Sequence, residues 1–253
     1  MKKILDYFLS SIYLLYFGFI LVFFDVLQRI ALNIFGKKAH QKVVEALNFF
    51  IVYGWYLTGS TVKFEQKQPI PMGRSIIFIA NHQSMFDIPG IIWFLRKHTP
   101  LFVSKIELAK GIPSISYNLR KGGAALIDRK DHHQALKAIG ELGDYIRKNS
   151  FSAAIFPEGT RSKTGELKEF SSGGVSILLQ KCPDALVVPI AIDNLLKFNP
   201  KGYFPLRSFT KMSWTTLNLI DPKNKSIEEV ISLAKSEIQS CLNEKNQALK
   251  IQE

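Results

Sequence analysis

The chain reads as an α/β protein, a mostly parallel or mixed sheet flanked by helices on both faces, preceded by an N-terminal hydrophobic two-helix membrane hairpin. Three observations predict this. From Thr61 onward, short apolar runs rich in β-branched residues alternate with helical stretches, the order that winds a sheet between helical layers. Within His132–Lys148, Leu136, Ile139, Leu142 and Ile146 recur every three or four positions, as an amphipathic helix requires. The chain before Thr61 instead gathers its apolar and aromatic side chains into two blocks.

The first block, Tyr7 to Phe24, is a nearly uninterrupted apolar stretch bounded by Lys2, Lys3 and Asp6 and by Asp25 and Arg29. Its length lies at the lower edge of the roughly 17–25 residues needed to span a bilayer. A signal peptide fits less well, because the run is too long and no small-x-small cleavage site comes after it. The second block, Val43 to Leu57, is interrupted by Glu45, Asn48 and Gly54, and a basic patch of Lys37, Lys38, His40 and Lys42 lies between the two. Two helices joined at Gly36 would lie in one leaflet, with Tyr53, Trp55 and Tyr56 at the interface. A buried core hairpin is the competing arrangement. Arg29, Lys37, Lys38 and Lys42 outnumber the two lysines before the apolar run. The positive-inside rule therefore places the α/β unit on the cytoplasmic side of the inner membrane. Residues 1–58 thus read as a membrane-associating hairpin and residues 59–253 as the α/β unit. Removing the first part is expected to release a folded but poorly active remainder.

Strands are expected at Thr61–Glu65, Ser75–Ala80, Pro100–Ser104, Ala124–Ile127, Ser152–Phe156, Ala185–Ile192 and Ser213–Leu219. Helices are expected at Ile88–Lys97, Ser114–Lys121, His132–Lys148 and Ser172–Lys181, with a terminal one over Ile227–Lys250. Val188-Pro189-Ile190 reads as a core strand with an edge proline.

The 253 residues suffice for one large α/β domain and an appendage. A formal net charge of +12 predicts attraction to polyanions: nucleic acid, anionic lipid or an acidic carrier protein. No nucleic-acid motif is present and the basic residues are dispersed, which argues against the first. Cys182 and Cys241 are far apart and in no metal-ligand spacing, so free thiols are the expectation.

Two short segments carry the chemistry. Asn81-His82-Gln83-Ser84-Met85-Phe86-Asp87 leaves one strand and opens a helix, and Phe156-Pro157-Glu158-Gly159-Thr160-Arg161-Ser162 leaves another. Loops beyond the carboxyl ends of strands are where open α/β sheets bind ligands. A tight turn can fold Asp87 back onto the imidazole of His82, fixing its tautomer and leaving the other ring nitrogen as a base. Ser84 is better placed as a cap or turn residue than as a nucleophile. A His–Asp dyad without its own nucleophile suits deprotonation of a substrate hydroxyl. Arg161, held by the turn before it, offers a fork for phosphate. Gly159 lets backbone come close. Glu158 either contacts a substrate hydroxyl or braces Arg161 or the loop backbone. Lys105 and Arg129 also sit at strand ends, on the same side if the sheet is parallel. Ile112-Pro113, Ile115 and Tyr117 supply an apolar wall.

His-x4-Asp, Lys105-Ile106-Glu107-Leu108 with Ile112-Pro113 and Ile127-Asp128-Arg129, Phe156-Pro157-Glu158-Gly159-Thr160-Arg161-Ser162, and Val188-Pro189-Ile190 occur in this order. Together they resemble the four motif blocks of the glycerolipid acyltransferase family, in particular its bacterial members that acylate 1-acyl-sn-glycerol-3-phosphate. One departure is visible. Phe170 is followed by Ser171, Ser172, Gly173 and Gly174, where the family often has Phe-Lys-x-Gly, so a cation of that pattern is missing.

The resemblance implies an acyl thioester donor, acyl-CoA or acidic acyl-carrier protein, as co-substrate. It also implies a membrane lipid acceptor, an anionic membrane surface as partner, and neither metal nor other cofactor. His82 and Asp87 would be catalytic. Lys105 and Arg161 would hold the acceptor phosphate, with Arg129 as a third cation, and Glu158, Gly159 and Thr160 would complete the substrate loop. The oxyanion would be met by backbone N–H groups near Gly159. A non-catalytic lipid carrier would account for the hairpin and the charge, but not for a dyad beside a phosphate cradle.

Overall fold

Ile76–Ala80 is buried at every position, which requires helices on both faces of the sheet it belongs to. The computed structural model describes residues 1–251, so the last two positions of the expected 59–253 unit lie outside the described residues. Seven strands form one sheet: β1 (Thr61–Gln66), β2 (Ile76–Ala80), β3 (Pro100–Lys105), β4 (Ala125–Ile127), β5 (Ser152–Ile155), β6 (Leu186–Asp193) and β7 (Lys211–Thr216). Their order is β1-β7-β6-β2-β5-β3-β4. Strands β2 to β6 all run parallel, and β7 meets β6 antiparallel with β1 parallel beside it. The sheet is therefore mixed, as the sequence predicts.

The proline of β6 is not at an edge. Ile190 faces Thr216, whereas Val187 faces Ile220. The β7 side thus carries one residue more than β6 over the same span, a bulge opposite Pro189. Leu217 N–H still donates to the Pro189 carbonyl at 2.9 Å. Prolines inside sheets are confined to such irregular points because they bring no ladder donor. This also ends β7 at Thr216, short of the expected Leu219.

The helices are α1 (Lys2–Ile30), α2 (Lys37–Gly54), α3 (Asp87–Phe94), α4 (Ile115–Lys121), α5 (His132–Asn149), α6 (Gly173–Lys181), α7 (Leu195–Phe198) and α8 (Ile227–Ile251). Helix α1 runs on through a π-helical turn, Ala31–Phe35, to Gly36. There a φ of +81°, which glycine adopts without strain, turns the chain into α2. On one face of the sheet, Ile76, Phe78 and Ala80 pack with α1, α2 and α3. On the other, Ile77 and Ile79 pack with α5, α6 and α8. This alternation is the period-two rule of a strand buried on both sides.

The N-terminal hairpin is thus itself the helical layer on one face of the sheet. Tyr13, Ile20, Leu21 and Phe24 of α1 and Val44, Leu47, Ile51 and Val52 of α2 are buried in the same core as Phe86 and Trp214. Trp55 is not an interfacial anchor. It is fully buried, stacks on Trp214 at 5.8 Å and 5°, and donates its indole N–H to the Tyr13 hydroxyl at 2.8 Å. His40 likewise leaves the basic patch, being 2% exposed with its ring against Tyr117. The opposite side of α1 is bare: Ile4, Phe8, Leu15, Phe19, Val22, Val26 and Ile34 are exposed, as are Tyr53 and Tyr56. The unbroken stretch Lys2–Phe35 is the one helix among the described residues long and apolar enough to cross a membrane. Core packing and bare apolar surface coexist on the two sides of one helix.

A second link joins α1 to the body. Asp25 Oδ1 accepts the Ser114 N–H at 2.7 Å, and the Ser114 hydroxyl donates to the Leu21 carbonyl at 2.9 Å. Ser114 has φ +63° and ψ −56°, with Ile115 N–H donating to Pro113 O at 2.6 Å. This is the rare γ-turn geometry, strained for a residue bearing a Cβ. Helix α1 holds it in place from both sides.

Candidate active site

Because β2 to β5 are parallel, the loops after them leave the sheet at one edge. Those loops carry His82 (after β2), Lys105 (at the end of β3), Arg129 (after β4) and Glu158–Arg161 (after β5). All of these residues line one cavity of about 1720 Å³. That exceeds the roughly 300–1,000 Å³ of ordinary small-molecule sites and is on the scale of two long substrates.

The dyad is formed. His82 Nδ1 lies 2.7 Å from Asp87 Oδ2, so Nδ1 carries the donated proton and Nε2 is the free basic position. The same Oδ2 accepts the Gln83 and Ser84 N–H groups at 2.7 and 2.9 Å. Asp87 is fully buried and opens α3, and its carbonyl receives the Trp214 indole N–H at 3.1 Å. The carboxylate therefore has one orientation. The His82 side chain is 15% exposed, and its ring stacks on Phe156 at 4.2 Å. Ser84 is a turn residue, its Oγ accepting the Phe86 N–H at 3.2 Å and the Asn199 amide at 3.0 Å.

Two long-range braces hold this loop. Asn81 donates to the Ile192 carbonyl at 2.9 Å and accepts the Ile192 N–H at 2.7 Å, fastening the end of β2 to β6. Gln83 Oε1 accepts the N–H groups of Leu195 and Leu196 at 3.0 and 3.3 Å at the start of α7.

Glu158 braces the backbone of the histidine loop. Its Oε1 accepts the His82 N–H at 2.8 Å, while Ser162 N–H donates to His82 O at 2.8 Å. Burial pushes the Glu158 carboxyl up from its ordinary pKa, opposed by the His82 N–H and by Lys168. Its Oε2 is buried without a partner. Gly159 has φ +68° and open space where a Cβ would stand, so glycine serves the left-handed turn here and not a close approach. Thr160 is engaged by Lys168, whose Nζ reaches both its hydroxyl and its carbonyl. Within the loop the Gly159 and Ser162 N–H groups are already bonded, to Phe156 O and His82 O. The N–H groups of Thr160 and Arg161 have no backbone partner among the described residues.

Lys105, Arg129 and Arg161 all line this cavity, and so does Lys163. No carboxylate pairs with any of the four among the described residues. Sequence reasoning missed Lys163, although its place directly after the Phe-Pro-Glu-Gly-Thr-Arg-Ser block was a readable signal. It lines the same cavity as Ser171 and Gly174 of the segment that lacks the family's cation. Ile112 and Ile115 line the cavity, whereas Tyr117 turns away, lying beneath Arg29 and beside His40. The hairpin adds Phe17, Leu21, Val44, Leu47 and Ile51 to the apolar lining, and α3 and β3 add Ile88, Ile92 and Phe102.

The acyltransferase family model matches residues 61–193, more than half of the 253-residue chain. The chain belongs to the acyltransferase family. Among acyltransferases, a 1-acyl-sn-glycerol-3-phosphate acyltransferase of Cocos nucifera is 34% identical over 135 residues, covering 51% of this chain and 43% of that one. One of Saccharomyces cerevisiae is 28% identical over 177 residues, covering 68% and 55%. The chain spans about half the length of the curated relatives it matches. The crystal structure of the 1-acyl-sn-glycerophosphate (LPA) acyltransferase PlsC from Thermotoga maritima matches with a TM-score of 0.73 at 27% identity, covering 94% of this chain and 98% of that one. The family's matched region contains His82, Asp87, Lys105, Arg129 and Glu158–Arg161.

Proposed function

We propose that this acyltransferase moves a fatty acyl group from acyl-CoA or acyl-carrier protein to the free hydroxyl of 1-acyl-sn-glycerol-3-phosphate, giving phosphatidic acid. The observation that carries this reading is the 2.7 Å His82–Asp87 contact in a cavity lined both by Lys105, Arg129, Arg161 and Lys163 and by many apolar side chains. His82 Nε2 takes the hydroxyl proton as the oxygen attacks the thioester carbonyl. The C–S bond then breaks, and the imidazolium returns the proton to the leaving sulfur. Asp87 stabilises the imidazolium in between. Lys105 and Arg161 take the acceptor's phosphate, and Arg129 and Lys163 add to the positive field around it. The bare apolar side of α1 lies against the cytoplasmic leaflet of the inner membrane, where acceptor and product both reside. An anionic bilayer suits the positive net charge.

The test is an assay of the purified protein with a labelled acyl thioester and 1-acyl-sn-glycerol-3-phosphate. Phosphatidic acid should form, and a lysolipid lacking the phosphomonoester should be a much poorer acceptor. No transfer to any lysolipid would overturn the reading in favour of a lipid carrier.

Arg161→Ala is expected to raise KM for the phosphorylated acceptor by about tenfold or more, since hydrogen bonds to charged groups are worth about 1.5–3 kcal/mol. KM for the thioester should change little. Lys105→Ala should act in the same direction but more mildly, because an ammonium is a point charge and not a fork. Equal effects on both substrates would place Arg161 at the donor's phosphates.

Glu158→Gln and Glu158→Ala separate a brace from a charge. Glutamine keeps the acceptor for the His82 N–H, so it should retain most of the activity that alanine loses. Burial raises the Glu158 pKa in the folded state. Its stabilising contribution is therefore fully present below the unfolded pKa and lost as pH rises through the folded one. At neutral pH the glutamine variant should melt no lower than the parent, and any excess in Tm should shrink on acidification. A glutamine variant as inactive as the alanine one would mean that the charge itself is used.

A further inference from the structure

Between α7 and β7 the chain crosses the surface as a loop, residues 199–210, in which inward and outward residues are sharply divided. Leu206 and Ser208 are buried, whereas Lys201, Tyr203, Phe204, Arg207 and Phe209 are exposed. Tyr203, Phe204 and Phe209 are 52%, 40% and 60% exposed, an unusual density of bare aromatic surface for so short a loop.

The loop is fastened to the beginning of α1. Ser10 Oγ donates to Leu206 O at 3.1 Å and accepts the Leu206 N–H at 2.8 Å. Asp6 Oδ1 accepts both the N–H and the hydroxyl of Ser208. Outside these bonds the ring of Phe204 meets that of Tyr7 edge-on at 5.2 Å, beside the exposed Ile4 and Phe8. The N-terminal end of α1 and the loop therefore meet through exposed aromatic side chains. At the loop's start, Asn199, Pro200, Gly202 and Tyr203 line the catalytic cavity.

We propose that loop 199–210 is a second membrane-docking element, seated with α1 in the interface of an anionic phospholipid bilayer. It inserts Phe204 and Phe209 among the headgroups, while Lys201 and Arg207 face the lipid phosphates. Tyr203 suits the headgroup level because one end of its ring is apolar and the other carries a hydroxyl, and Phe204 and Phe209 add apolar area beside it. Basic side chains on the same loop reach anionic headgroups while their stems lie on the apolar boundary. Docking here sets the rim of the cavity at the lipid surface. The proposal rests on the membrane reading of α1 under the proposed function but not on turnover.

The test uses variants of the full chain with one introduced cysteine carrying an environment-sensitive fluorophore. Both native cysteines are free and buried, so label added to the folded protein goes to the introduced site. Phe204→Cys reports the loop, Phe19→Cys the bare side of α1, and Phe209→Cys replaces the first if that variant does not fold. Each is bound to vesicles of phosphatidylcholine and phosphatidylglycerol, with and without brominated acyl chains. The expected result is a blue shift and loss of most emission to bromine at both the loop and α1 positions. Quenching at Phe19→Cys with a loop label that keeps its aqueous spectrum overturns this proposal and leaves the membrane reading of α1 intact. Aqueous spectra at both positions overturn the two together, while the acyltransferase reading stands on its own assay.

Discussion

Replacing His82 with alanine is expected to lower acyl transfer by about 10²–10⁴-fold, the usual worth of a positioned general base, with little change in stability. The imidazole bonds to Asp87 and lies on the face of Phe156. The loop itself is held through backbone atoms, His82 N–H on Glu158 and His82 O under Ser162, and alanine keeps both. Circular dichroism and melting of the purified variant should match the parent while single-turnover transfer is lost. Retention of more than a few per cent of parental turnover, on the order of magnitude expected for a base, would remove His82 from the mechanism.

Asp87→Asn should be nearly as damaging, for a reason the geometry makes specific. Three donors converge on Oδ2, so the amide oxygen must take that place and the tautomer of His82 survives. What disappears is the charge that stabilises the imidazolium. The amide nitrogen is meanwhile forced into the buried position of Oδ1, which has no partner, at a cost of about 1–3 kcal/mol. Loss of kcat with a modest fall in Tm is the expected pair of readouts.

The second large effect concerns the hairpin. A chain beginning at Gly59 is expected not to fold, in place of the released domain that the sequence suggests. Its removal strips Trp55 from Trp214, takes away Tyr13, Val44, Leu47, Ile51 and Val52, and leaves one face of the sheet without two of its three covering helices. Each lost large side chain is worth about 2–5 kcal/mol, against a net stability of about 5–15 kcal/mol for a domain. Far-UV and near-UV circular dichroism of the truncated chain decide it. A cooperative melt and native near-UV bands in that chain would show that the hairpin is dispensable to the fold.

Legibility from sequence followed distance along the chain. The strands, α5 and the dyad are local objects. An apolar run of period two, a helical repeat, or an Asp five positions after a His engages residues within a turn or two of each other, so the pattern and the contact are nearly the same thing. The parallel arrangement followed from strand–helix alternation, and with it the placement of Lys105, Arg129 and Arg161 on one edge. Pro189 was misplaced because a bulge is a relation between two strands, and neither strand alone contains it. Phe156, read as the last residue of a strand, proved to be the platform under the His82 ring.

By itself the sequence determined most of the strands and helices, the family they build, and the histidine that meets a carboxylate five positions on. Those properties are written in short-range periodicity and in adjacent residues. Only the tertiary structure decided that α1 has two sides with different partners, one turned to Trp214 and the sheet, the other bare. Composition treats both sides of an apolar helix alike, and burial is assigned when the rest of the chain competes for the surface. Only the fold, likewise, put the Glu158 carboxylate under the His82 N–H across 76 positions of chain. Any buried N–H must find an acceptor, but which acceptor arrives is settled by the packing of β2 against β5.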